Sequence, residues 1–174
     1  PYSSAASDVY KRQPILLYTI LSGNSSHIEK LTMSMPPSQL GTSYLNFIAS
    51  HDGIGLRPAE DFLTSKEIQT LIELMQKNGG KVSYRTNQNG EDSPYELNIS
   101  LLNAVNQTFY GTDELQSDRF ICIHAIMMSL EGVPAFYIHS LLGTENDHEL
   151  YNQTKHNRSL NRHCLLYTSD AADE

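Results

Sequence analysis

The sequence predicts an α/β chain built from parallel strand–helix units, the layout of part of a (β/α)8 TIM barrel. Three observations carry this. Two short apolar runs, Tyr44–Ser50 and Val133–His139, have the aromatic and β-branched content of buried strands. Helical patterns lie between them, and parallel strands need a crossover of that kind. Each run feeds directly into a polar loop, as in a barrel whose sites sit at the C-terminal ends of its strands. Two strands cannot close a barrel, so the remaining strands are expected before residue 14.

Taken in order, Pro14–Leu21 is apolar and ends at Gly23, which suits the tail of a buried helix. Ser26-His27-Ile28-Glu29 has capping-box spacing and predicts a short helix that Pro36-Pro37 stops. The first strand, Tyr44–Ser50, runs straight into His51-Asp52-Gly53. Thr64-Ser65-Lys66-Glu67 is a second capping box, followed by Ile68, Leu71, Ile72 and Met75 at i, i+3, i+4 and i+7, with Gly79-Gly80 ending the helix. Lys81–Arg85 reads as a strand, and residues 87–90 (NQNG) as a turn. Glu91–Asn103 has no clean period and reads as a long loop with one helical turn. A helix is expected over Thr112–Leu130, with Leu115, Phe120, Ile123, Met127 and Leu130 near one face. Within it, His124 reads as a packed histidine and Cys122 as a small buried hydrophobe. Glu131-Gly132 ends that helix, Val133–His139 is the second strand, and Gly143–Asn161 a polar loop.

The two ends read differently. Residues 1–13 (PYSSAASDVYKRQ) and 164–174 (CLLYTSDAADE) have neither helical nor strand periodicity, nor the regions of a signal peptide. Both resemble translated sequencing-adapter peptides and are left out of the fold reasoning, leaving 14–163 as the informative part of a chain cut at both ends.

Composition excludes several classes. The 174 residues carry 20 Asp and Glu against 12 Lys and Arg, a formal charge of −8 with neutral histidines. That balance argues against nucleic acid, whose phosphates are bound mainly by clustered Lys and Arg. No apolar run approaches the roughly 18–20 residues of a membrane span. Cys122 and Cys164 lie in unlike contexts, so no disulfide framework is implied, and a reducing, cytoplasmic location fits. His139, His148 and His156 lack ligand-like spacing, so no metal site is expected.

The chemistry concentrates at His51-Asp52. A carboxylate at the end of a strand can stabilise a developing positive charge, and the neighbouring imidazole can donate a hydrogen bond to a sugar hydroxyl. The plain alternative is a turn aspartate that caps the residues after it. Residues 46–58 (NFIASHDGIGLRP) resemble the seventh-strand motif of the α-amylase superfamily of glycoside hydrolases, and the Gly-Ile-Gly continuation resembles its sucrose phosphorylase and glucosylglycerate phosphorylase branch. Residues 94–98 (PYELN) resemble the mobile acceptor-site loop of that branch, and 132–137 (GVPAFY) its eighth strand. Asn146-Asp147 and residues 157–163 (NRSLNRH) resemble the loop after that strand.

The resemblance implies strands 7 and 8 with their helices and a long insertion at about 53–111. It implies that Asp52 is the third catalytic carboxylate, that His51 and Arg158 hold the glucosyl unit, and that Tyr95, Glu96, Leu97 and Asn98 shape the site for phosphate or the acceptor. It implies a sugar and inorganic phosphate as partners, with no cofactor. Retaining chemistry also needs a nucleophile and an acid/base about 5–5.5 Å apart. In this superfamily these lie on earlier strands, so the chain alone is expected to be inactive. A hydrolase or transglucosidase of the same superfamily, a His-Asp metal phosphohydrolase and a non-catalytic carbohydrate-binding module stay open as alternatives.

Overall fold

The computed structural model describes residues 3–86 and 90–164, with side chains from Lys11 onward. Helix α1, Ser3–Ser22, buries Ile15, Leu16, Leu17 and Leu21 completely along its second half. It runs back through most of residues 1–13, where no helical period is legible, and Arg12 and Gln13 are already buried. Residues 165–174, nearly all of the C-terminal segment, lie outside the described residues. Helix α2, Ser26–Ser34, forms where expected but opens one residue earlier than the sequence spacing suggests. Its N-cap is Ser25, whose hydroxyl bonds Glu29, and Ser26 N–H donates to Asn24 Oδ1 at 3.0 Å.

Both apolar runs are strands for two residues only. β1, Leu45–Asn46, pairs parallel with the later strand β7, Val133–Pro134, with Leu45 opposite Val133. The parallel pairing is as expected; the seven-residue lengths and the two-sided burial are not. After Ala135 donates to Asn46 O at 2.7 Å, the second run turns into a helix at Ile138, and a strand without a neighbour has no ladder to join. Leu45 is 49% and Val133 55% exposed, while Ile48 and Ala49 are buried without strand geometry. Gly132, at φ +130°, lets the strands meet: a Cβ there would sit 2.5 Å from Tyr44 O.

The region between the two strands carries its own sheet. β2 (Ile54–Gly55), β3 (Lys81–Thr86) and β4 (Asp92–Asn98) form an antiparallel sheet in the order β2-β4-β3. The segment read as a loop from Glu91 is therefore the central strand β4, followed by the one-turn helix α4, Leu101–Ala104, capped by Ser100. Its regularity is broken by a register shift between Ser83 and Tyr84: Glu96 faces Ser83, Pro94 faces Tyr84, and Tyr95 is the extra residue of a bulge. The turn expected at residues 87–90 falls mostly outside the described residues.

Helix α3, Ser65–Lys77, has the expected capping box in full. Thr64 Oγ1 accepts from Glu67 N–H at 3.3 Å, and Glu67 Oε2 accepts from Thr64 N–H at 2.7 Å. Its buried Leu71, Ile72 and Met75 pack in one core with Leu16, Leu17 and Leu21 of α1, Val82 of β3 and Leu97 of β4. A short hairpin, β5 (Gln107–Thr108) with β6 (Gly111–Thr112), leads into helix α5, Gln116–Ser129. α5 adds Ile123 and Met127 to that core. It is shorter than the sequence pattern, and Leu115, expected on its buried face, is 52% exposed. His124 is packed as expected, but Cys122 is exposed rather than buried.

The stretch after β7 is also more ordered than the polar loop expected over Gly143–Asn161. It contains α6 (Ile138–Leu141), α7 (His148–Thr154) and a 3-10 turn at Asn157–Asn161. Asp147 caps α7, its carboxylate accepting from Leu150 N–H at 2.7 Å. Among the described residues no helix is long and apolar enough to cross a membrane.

Candidate active site

The loop after β1 and the 3-10 turn that follows α7 come together at Asp52. Its carboxylate Oδ1 lies 2.7 Å from Arg158 Nη1, 3.4 Å from Arg162 Nη2 and 3.3 Å from His51 Nε2. Two strands that run parallel thus send their following loops to one edge, and residues more than a hundred positions apart become neighbours. The backbone is stitched as firmly as the side chains. Asn161 Nδ2 donates to Ser50 O at 3.0 Å and His51 O at 3.2 Å, and Arg162 Nε donates to His51 O at 2.7 Å.

Gly53 fixes the turn from the other side. At φ +120° it sits so close to β4 that a Cβ would fall 2.5 Å from Leu97 O and 3.2 Å from Glu96 Cγ. Asn98 Nδ2 then reaches across to donate to Asp52 O at 3.0 Å.

The acceptor-loop residues divide by the alternation of β4. Glu96 and Asn98 share one face and bond each other, and Ser83 Oγ donates to Asn98 Oδ1 at 2.6 Å. Glu96 holds Arg158 in a two-point fork: Nε donates to Oε1 at 3.2 Å and Nη2 to Oε2 at 2.9 Å. Leu97 points the other way and is wholly buried in the core, away from Asp52. Tyr95, on the bulge, is half-buried, with the Arg85 guanidinium 5.9 Å from its ring centre.

The electrostatics follow from this layout. Arg158 stands between two carboxylates, and its proton is held more tightly than usual: hydrogen bonding to Glu96 raises it against the opposing effect of burial, and the charges of Glu96 and Asp52 add to the rise. Behind the turn a small cavity is lined in part by Ser50, Gly53, Tyr137, His139 and Asn161. Burial pushes the His139 pKa down and the Tyr137 pKa up; the Tyr137 hydroxyl donates to Asn161 O at 2.8 Å. Among the described residues, no group of three or more His, Cys, Asp or Glu is placed to hold a metal ion.

Of the residues singled out in the sequence, His51, Asp52, Glu96, Asn98 and Arg158 converge, Tyr95 borders them and Leu97 does not join them. Arg162 and Asn161 belong to the cluster too. Their only sequence signal is their place in the NRSLNRH stretch beside Arg158.

No family model matches the chain. It is 36% identical over 164 residues to the glucosylglycerate phosphorylase of Escherichia coli, covering 92% of this chain and 29% of that protein. With the glucosylglycerate phosphorylase of Spirochaeta thermophila it shares 38% identity over 154 residues, covering 88% of this chain and 26% of the relative. The chain is a relative of one segment of the glucosylglycerate and sucrose phosphorylases. A sucrose phosphorylase of Streptococcus mutans is 28% identical over 156 residues, covering 90% of this chain and 30% of that enzyme. The mixed α/β fold of the chain matches part of the crystal structure of a sucrose 6F-phosphate phosphorylase from Thermoanaerobacter thermosaccharolyticum, with a TM-score of 0.77, 20% identity, and coverage of 94% of this chain and 32% of that one. The chain therefore spans less than a third of the length of the relatives it matches.

Proposed function

We propose that residues 14–163 are the C-terminal part of the catalytic barrel of a retaining α-glucosyl phosphorylase, with β1 and β7 as barrel strands 7 and 8 and an insertion at about 53–111. The whole enzyme converts a glucoside of the sucrose or glucosylglycerate type, with phosphate, to glucose 1-phosphate. The observation that carries this reading is the meeting of Asp52 and Arg158, at 2.7 Å, at the common edge of two parallel strands. That edge is where sites of βα barrels form.

In this reading Asp52 stabilises the positive charge that develops on the glucosyl unit as its glycosidic bond breaks, a role for a fixed carboxylate that costs no reorganisation during the reaction. Arg158, Arg162 and His51 hold the carboxylate in place. His51, which is largely exposed, and Arg158 also face the glucosyl unit. Tyr95, with Arg85 against its ring, lies on the acceptor side, where a guanidinium suits phosphate or a carboxylate. Nucleophile and acid/base come from other parts of the barrel, so the 174-residue chain alone does not turn over substrate, and no cofactor beyond phosphate takes part.

A chimera tests this. Residues 14–163 replace the matching segment of the Escherichia coli glucosylglycerate phosphorylase, and the folded chimera is assayed on glucosylglycerate and on sucrose with and without phosphate. Phosphate-dependent release of glucose 1-phosphate is expected. Release of free glucose at the same rate with and without phosphate would replace the phosphorylase by the hydrolase reading.

A further inference from the structure

We infer that Glu96 is a positioning residue: it acts through Arg158, aiming the guanidinium at Asp52, and does not itself bind the sugar. This rests on the roles proposed above for Asp52 and Arg158.

The first ground is enclosure. The Glu96 side chain is 5% exposed and both of its oxygens are occupied, Oε1 by Arg158 Nε and Asn98 Nδ2, and Oε2 by Arg158 Nη2. Three of the roughly four acceptor positions of a carboxylate are thus taken, and a sugar hydroxyl would have to reach the last one, on Oε2, through a closed surface. Breaking the pair would leave a buried carboxylate uncompensated, which is strongly unfavourable.

The second ground is rigidity. Glu96 lies in the central strand of a three-stranded sheet, opposite Gly55 on one side and Ser83 on the other. The register shift lies at Tyr95, on the N-terminal side of Glu96, so the pairing of Glu96, Leu97 and Asn98 with Ser83, Val82 and Lys81 is regular. The regularly paired end of the strand thus carries both Glu96 and Asn98.

The third ground is geometry. A guanidinium is planar, so fixing Nε and Nη2 on one carboxylate also fixes the direction of Nη1. In Arg158 that remaining nitrogen is the one 2.7 Å from Asp52 Oδ1. Asn98 adds a second link from the same strand face, to the backbone of Asp52. Glu96 therefore sets where the Asp52 carboxylate stands without touching it. Lysine in place of Arg158 could not transmit the orientation, because an ammonium is a point charge on a flexible stem.

Two measurements test the inference. In the 174-residue chain, water exchange of the Arg158 Nε–H proton is followed by NMR in the native sequence and in Glu96→Gln, Glu96→Asp and Asp52→Asn. Glu96→Gln is expected to speed exchange by about tenfold or more, the loss of a hydrogen bond between charged groups. Asp52→Asn should change it less than about twofold, because that proton faces Glu96. Unchanged exchange in Glu96→Gln overturns the inference. Should that variant unfold the chain, Glu96→Asp, which keeps the charge but shortens the reach, reads the same quantity: faster exchange supports the inference and unchanged exchange overturns it.

In the chimera, Glu96→Gln should lower kcat about tenfold or more with the donor KM changed less than about twofold, and Glu96→Asp should recover part of the loss. A tenfold rise in donor KM at unchanged kcat would make Glu96 a direct sugar ligand and overturn the inference. If the native chimera shows no phosphate dependence, the phosphorylase reading fails, while the exchange measurement still decides how Arg158 is held.

Discussion

Replacing Glu67 with alanine should remove more stability than any other single exposed-face change in α3, and should do so only above acidic pH. Glu67 closes the capping box with Thr64, accepts from the Tyr18 hydroxyl at 3.1 Å and lies 2.9 Å from His27 Nε2. It therefore ties the start of α3 to α1 and α2. Burial alone would raise its pKa, but the hydrogen bonds from Thr64, His27 and Tyr18 outweigh that and hold it at about 2, against the ordinary 4.5 of a glutamate. At about 1.4 kcal/mol per unit the difference corresponds to roughly 3 kcal/mol, an upper figure for a side chain that is one-quarter exposed. Loss of a cap costs about 0.5–2 kcal/mol and loss of partners for half-buried polar groups about 1–3 kcal/mol, which brackets the same range.

The sign follows from the lowered pKa. A carboxyl held below its unfolded value stabilises the fold above that value, and the contribution disappears as pH falls through the folded pKa. Urea unfolding followed by circular dichroism, with amide exchange of α3 as a local probe, should show Glu67→Ala destabilised by about 2–3 kcal/mol at pH 7. The gap to the native chain should shrink steadily between about pH 4.5 and pH 2. A gap that stayed constant down to pH 2 would refute the reasoning, because it would show that the ionised carboxylate contributes nothing beyond packing.

Two further outcomes follow from the geometry. Gly53→Ala forces a side chain into Leu97 O at φ +120°, so it should cost about 1–3 kcal/mol of strain and speed exchange of the Arg158 Nε–H, whereas Gly41→Ala, at positive φ but with nothing within 4 Å, should leave that proton unchanged. The β1–β7 pair exposes Leu45 and Val133, and Phe136, Leu141 and Leu142 lie exposed just beyond, so the 174-residue chain should bind a hydrophobic dye and sediment with concentration-dependent association; Val133→Lys should reduce both.

The features legible in the sequence were the local ones and those tied to a motif. The Thr64–Glu67 box is visible because its partners are three residues apart, and the structure forms it fully. The loops after the two apolar runs meet at Asp52 as the parallel layout requires. Strand β4 was hidden because its site-facing positions, Glu96 and Asn98, are polar and satisfied by Arg158 and Ser83, residues far away in sequence, and because the bulge at Tyr95 interrupts the alternation. Helix α7 has no buried residue and hence no apolar stripe to read. The apolar runs at 44–50 and 133–139 are longer than the strands they contain because hydrophobic content reports burial, whereas a ladder needs a neighbour, and the second run becomes a helix after Tyr137. The Glu96–Arg158 pair spans 62 residues and leaves no local signal.

Asp52 is proposed here as a catalytic carboxylate of a phosphorolytic site. Its most direct test is kcat for glucose 1-phosphate release by the chimera carrying residues 14–163, compared with the same chimera carrying Asp52→Asn, an exchange that keeps size and removes charge. The account predicts a fall in kcat of about 100- to 1,000-fold, with donor KM changed less than about twofold. A kcat near that of the native chimera would contradict it.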